Sequence, residues 1–207
     1  MNSKIKKTNM VRFVQLIMLT AIIVLMAFTP IGYLKAGALS ITFLVIPVAV
    51  GAVTLGPWQG AFLGGVFGLT SFLQALGLDA FGVALFQISP VKTAVMCFVP
   101  RILMGYLCGL IFKLTDKFKW AKKTAASHFI ANLSAALINT VLFMTALILL
   151  FGKTEYIMNI RNSVGGSNVL MFVILFVGIN GVIEALTSTV VGTAISKAIS
   201  VAVKKIH

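Results

Sequence analysis

Apolar stretches of about twenty residues recur along this chain, and a helix rising 1.5 Å per residue needs about that length to cross the roughly 30 Å of a bilayer's hydrocarbon core. Six can be drawn, at about 10–29, 40–55, 58–77, 93–114, 125–151 and 168–203. Pro30 closes the first, and the Gly56-Pro57 turn separates the second from the third. With 59% apolar and only 10% charged residues, against about 25% charged in a soluble domain, the chain cannot build a water-facing surface. The expectation is an all-α integral membrane protein, a bundle of six transmembrane helices forming a single domain over 1–207.

Charge orients the drawing. Lysine and arginine number 17 against the four acids Asp79, Asp116, Glu155 and Glu184. Such an excess in a soluble protein would suggest nucleic acid. Here the cations sit mostly between the spans, so they read as topology signals facing a lipid bilayer, and no nucleic-acid partner is expected. Lys4, Lys6, Lys7, Arg12, Lys113, Lys117, Lys119, Lys122, Lys123, Lys197, Lys204 and Lys205 fall on one side, while Lys35, Lys92, Lys153 and Arg161 fall on the other. Twelve against four places both termini in the cytoplasm by the positive-inside rule. Trp58 and Trp120 then fit headgroup-level anchors at the inner face.

The N-terminus imitates a signal peptide, with its lysines and the triplet Ala36-Gly37-Ala38. The apolar run from Met10 to Thr29 exceeds the ~7–15 residues of a signal h-region, so an uncleaved first helix is expected. Cys97 and Cys108 lie on one helix roughly 16 Å apart, too far for a disulfide. No catalytic constellation, metal-ligand spacing or cofactor motif is present. Gly152-Lys153-Thr154 looks like the tail of a phosphate-binding loop, but the glycine that motif needs five residues earlier is Leu147. Any ATP hydrolysis coupled to this chain belongs to a partner.

Gly60, Gly64 and Gly68 recur every four residues and form one helix face, a device repeated by Gly105 and Gly109. Such faces let backbones approach closely. Bundle packing is the favoured reading, and a sliding face for a moving partner is the sharper one.

Polar residues inside apolar spans are costly and point to function. Arg101 follows Pro100 near the outer end of the fourth span and stays charged at any ordinary pH. It suits a clamp on a substrate carboxylate; snorkelling or pairing with Glu184 is the structural alternative of equal weight. Asn180, Glu184 and Thr187 share a helix face, as do Asn132, Ala136 and Asn139. Asn139 and Asn180 fall in the outer halves of their spans and are assigned to ligand contact with Arg101 and Glu184. Asn132 lies deeper and is assigned to interhelical hydrogen bonding. Tyr33, Gln74, Gln87 and Lys92 stand near the outer ends, where they could line or lid a pocket.

The Leu55-Gly56-Pro57 turn, the run Gly60-Ala61-Phe62-Leu63-Gly64-Gly65 and Pro100-Arg101-Ile102-Leu103-Met104-Gly105 resemble the substrate-binding S components of energy-coupling-factor (ECF) vitamin importers, particularly the pantothenate-type branch. The resemblance spans most of the chain, best over 40–110. It implies a subunit of the bacterial cell membrane that binds a vitamin near the outer surface, associates with a transmembrane coupling (T) subunit and two ATPase subunits, and topples in the bilayer to release its solute. Many members of that family carry an Ala-xxx-Ala motif on the first span for the coupling subunit. Here Ala21 is followed by Leu25, and Thr20, Ala21, Val24 and Ala27 offer a narrow face in its place. One fixed cation, a second at Lys92 and several amides suit an anion with hydroxyl and amide groups, such as pantothenate. Riboflavin, a folate or a pyridoxine-type vitamin is the alternative, with Phe81, Phe86 and Phe98 available for stacking. A self-sufficient secondary transporter or channel ranks next, and a membrane enzyme last.

Overall fold

The computed structural model describes residues 2–30, 32–36, 39–118, 126–163, 165 and 168–206. The chain is essentially helical: α1 (Asn2–Ala27), α2 (Val45–Leu55), α3 (Pro57–Ala75), α4 (Ala80–Ile88), α5 (Pro90–Thr115), α6 (Ala126–Phe151), α7 (Glu155–Ser163) and α8 (Val169–Ile206). A short antiparallel hairpin, β1 (Tyr33–Ala36) and β2 (Leu39–Thr42), connects α1 to α2 with Tyr33 opposite Thr42. Trp120, Lys119, Lys122 and Lys123 of the basic connection lie outside the described residues.

Among the described residues four helical segments are long and apolar enough to cross a membrane: Asn9–Ala27, Pro90–Thr115, Ala126–Phe151 and Gly181–Ala202. The pair α3 and α4, bent by 84° at their junction, would add a fifth. The stretch expected as a second span over 40–55 divides instead into β2 and α2. Pro47 explains the late helix start, since it donates no amide proton and is tolerated only in a first turn. Every residue of α2 except Thr54 is buried, which makes it the centre of the bundle. The outer segment expected over 78–92 contains α4, begun by Asp79, whose Oδ2 accepts from the Gly82 amide at 2.7 Å. The stretch over 168–203 is broken at Gly178 (φ 43°, ψ −138°), a left-handed conformation that favours glycine. At 1.5 Å per residue an unbroken helix of that length would far exceed the bilayer.

Two apolar clusters hold the bundle. One gathers α2 with Leu19, Ile23, Leu63, Phe67 and Met104. The other gathers Phe81, Leu85, Met96, Leu147, Phe151 and Phe172 towards the α4–α7 side. Between α3 and α5 the contact is backbone to backbone. A Cβ on Gly60 would overlap the carbonyl of Gly105, one on Gly64 the carbonyl of Arg101, and one on Gly68 that of Cys97. The glycine face is therefore filled by the chain's own α5, as the packing reading expects. Gly56 (φ 115°) makes the turn into α3, and Pro57 opens that helix at its first position.

This contact separates neighbouring glycines. Gly64→Ala forces the α3–α5 backbones apart and is expected to cost about 1–3 kcal/mol. Gly65→Ala, whose Cβ meets nothing closer than 3.8 Å, is expected to be close to neutral. Thermal unfolding of the two variants in detergent checks the difference.

Candidate functional site

α5 carries Arg101 on the face it turns inward, and the proline before it decides how the side chain is held. Pro100 has no amide proton, so the carbonyl four residues earlier, Met96, loses its helical donor. The Nη1 of Arg101 donates to that carbonyl at 2.7 Å. The guanidinium packs on two rings, its carbon 4.8 Å from the centroid of Phe143 and 5.4 Å from that of Phe67. Cation–π contact of this kind stabilises a desolvated charge. Arg101 is only 8% exposed, and no ion pair joins it to Glu184 among the described residues.

Glu184 of α8, equally buried, is held by other partners. Its Oε1 accepts from Asn139 Nδ2 and its Oε2 from the Thr42 backbone amide, each at 3.3 Å. One carboxylate thus ties the end of β2, the middle of α6 and the inner part of α8 together.

These groups line a cavity of about 130 Å³. Three buried polar atoms of its lining residues make no hydrogen bond among the described residues: Arg101 Nε, Asn139 Oδ1 and Thr42 Oγ1. Leaving such atoms unsatisfied costs about 1–3 kcal/mol each, and all three belong to the polar part of the lining. Tyr33 also lines it, its hydroxyl 3.0 Å from Ser71 Oγ. Burial pushes the Tyr33 phenol up to about 12, which keeps it protonated and able to donate. Phe81, Phe143 and Met144 supply apolar wall.

Of the residues singled out in the sequence, Tyr33, Gln74, Arg101, Asn139 and Glu184 come together here. Gln74 also donates from Nε2 to the Ala27 carbonyl, fastening α3 to the end of α1. Lys92 and Gln87 are exposed and stand outside the lining. The side chain of Asn180 lies outside the described residues. Asn132 sits apart from the cavity and bonds the His128 carbonyl (2.8 Å) and Ser196 Oγ (3.3 Å), joining α6 to α8. On α1, Ala21 and Val24 face outward, Thr20 is half-buried with its hydroxyl on the Leu16 carbonyl, and Ala27 is buried in the core.

Thr93 and Cys97 line the cavity without having been singled out. They precede Arg101 by eight and four residues, so their shared helix face was available as a signal. Asp79, which also lines the cavity, was not singled out either, though its type at a helix start was an available capping signal. Thr42 had no local signal, because the hairpin and the distant Glu184 place it.

The sequence profile described as "ECF transporter, substrate-specific component" matches residues 12–196. The chain belongs to this family. Among its relatives, the pantothenate transporter PanT of Leuconostoc mesenteroides is 31% identical over 190 residues, covering 88% of this chain and 86% of the relative. The pantothenic acid transporter PanT of Lactococcus lactis is 32% identical over 124 residues, covering 55% and 59%. As an S component the chain is a multi-pass protein of the bacterial cell membrane and a transporter part, not an enzyme.

The tie at Glu184 has a measurable weight. Glu184→Ala leaves the Thr42 amide and the Asn139 side chain without their acceptor and is expected to destabilise by about 1–2 kcal/mol. Glu184→Gln keeps one acceptor oxygen and should lose less. Melting midpoints of both variants in one detergent check the order.

Proposed function

We propose that this chain is the high-affinity substrate-binding subunit of an ECF importer and that its substrate is pantothenate. The observation that carries this reading is a buried guanidinium with an unused Nε beside a cavity that also offers amide and hydroxyl groups, in a chain 31% identical to a protein named a pantothenate transporter. In the proposed pose the carboxylate of pantothenate meets Arg101, a charge-assisted contact. Its hydroxyls and amide meet Asn139, Thr42 and Glu184, while Tyr33 and Gln74 complete the polar wall. Riboflavin or a folate would call for more stacking than the cavity offers, since Phe86 and Phe98 pack on Phe72 and Phe81 alone of the three candidate rings is a lining residue.

The topology that goes with this function has six crossings in one domain and both termini cytoplasmic, supported by the twelve-to-four partition of cations. The second crossing is β2 followed by α2. Four residues of strand and 11 of helix together reach about 30 Å, and strand backbone is tolerated at membrane depth where it lines a cavity. The chain carries no ATP-binding motif, so energy comes from two ATPase subunits through a transmembrane coupling subunit. Thr20, Ala21, Val24 and Ala27 were the α1 residues assigned to that contact, and the outward position of Ala21 and Val24 favours those two.

Arg101→Ala is expected to weaken pantothenate binding roughly 10–100-fold while the protein still reaches the membrane. Equilibrium dialysis of the purified variant against labelled pantothenate measures it, and unchanged affinity would remove Arg101 from the site. The purified chain alone in liposomes should bind without carrying solute across. Net uptake there would favour a self-sufficient transporter.

A further inference from the structure

An arginine buried in a membrane protein has to be held still if it is to distinguish one ligand from another, and three features here do that together. The first is Pro100 within α5, which leaves the Met96 carbonyl without the amide donor a regular helix would supply. The second is the 2.7 Å bond from Arg101 Nη1 to that same carbonyl, five residues back along the same helix. The third is the pair of rings, Phe143 and Phe67, on which the guanidinium packs. What remains is the buried Nε, which has no hydrogen-bond partner among the described residues, on a residue that lines the cavity.

We infer that Pro100 is a positioning residue that makes the cavity selective for a carboxylate over its neutral counterpart. It does so by reserving the Met96 carbonyl for Arg101. With any other residue at 100, the backbone amide would take that carbonyl as its helical acceptor. The guanidinium would then lose its internal anchor and its fixed orientation on the cavity wall. The inference rests on the proposed pantothenate reading for the identity of the anion, but the anchoring itself does not depend on it.

The test compares wild type with Pro100→Ala, titrating each with pantothenate and with the analogue whose carboxylate is reduced to an alcohol. Wild type should prefer the carboxylate. Pro100→Ala should bind pantothenate about tenfold more weakly while its affinity for the alcohol stays within about twofold. Equal losses for both ligands, or no loss for either, would overturn the positioning role. A wild type that binds neither ligand would instead defeat the pantothenate reading. The anchor is then read without ligand, by phenylglyoxal modification of Arg101 followed by peptide mass spectrometry. Labelling should be severalfold faster in Pro100→Ala than in wild type, and equal rates would overturn the inference. Should Pro100→Ala fail to fold, nitrogen NMR of wild-type Arg101 reads the same point. Slow rotation about the Cζ–Nη1 bond is expected, and free rotation would sink the proposal.

Discussion

The close approach of α3 and α5 is the constraint on which the rest of the structure depends. A glycine every fourth residue on α3 lets its backbone rest on the carbonyls of α5, and one of those carbonyls belongs to Arg101 itself. The turn that carries the charge is thereby the turn that carries the packing. The guanidinium is fixed without a direct ion pair to Glu184, by a neighbouring backbone behind its turn, two rings against it and an acceptor on its own helix. Membrane helices gain little from apolar contact with one another, because lipid is equally apolar. Shape complementarity at this seam has to supply what the hydrophobic effect supplies in water.

Much of this was legible in the sequence because membrane physics imposes strong local rules. The apolar lengths marked α1, α5 and α6 closely, and the glycine spacing marked the α3 face that α5 occupies. Arg101, Asn139 and Glu184 stood out because polar groups are rare at such depth, and the fold brings all three to one cavity. What was not legible has equally physical causes. Lys92, assigned as a second cation for the site, stands in the first turn of α5, exposed and outside the cavity lining, where a long flexible ammonium is well solvated. The division of 40–55 into strand and helix follows from Pro47 at the start of α2 and is fastened by a tertiary tie, Thr42 to Glu184 across 142 residues, and that tie no local pattern encodes. Apolar periodicity also gave no warning of the break at Gly178, since the sequence on both sides of it remains apolar.

Glu184 is the clearest case of a residue serving two ends. Its oxygens are engaged by Thr42 and Asn139, so the carboxylate maintains the shape of the cavity in addition to lining it. A solute presenting a hydroxyl there has to share an acceptor that is already in use. Arg101 Nε, Asn139 Oδ1 and Thr42 Oγ1, buried and without a hydrogen bond among the described residues, belong to the same lining.

The interruption of α8 has a mechanical consequence. A continuous rod from Val169 to Ile206 would transmit twist and tilt from the outer aromatic cluster, where Phe172 and Phe176 stack against each other and Phe176 meets Phe81, directly to the seam with Asn132 and Ser196. At Gly178 the helical backbone conformation lapses, and with it the stiffness that carries torsion along a helix. Each half is thus free to follow its own neighbours: the outer one the rim of the cavity, the inner one the core of the bundle.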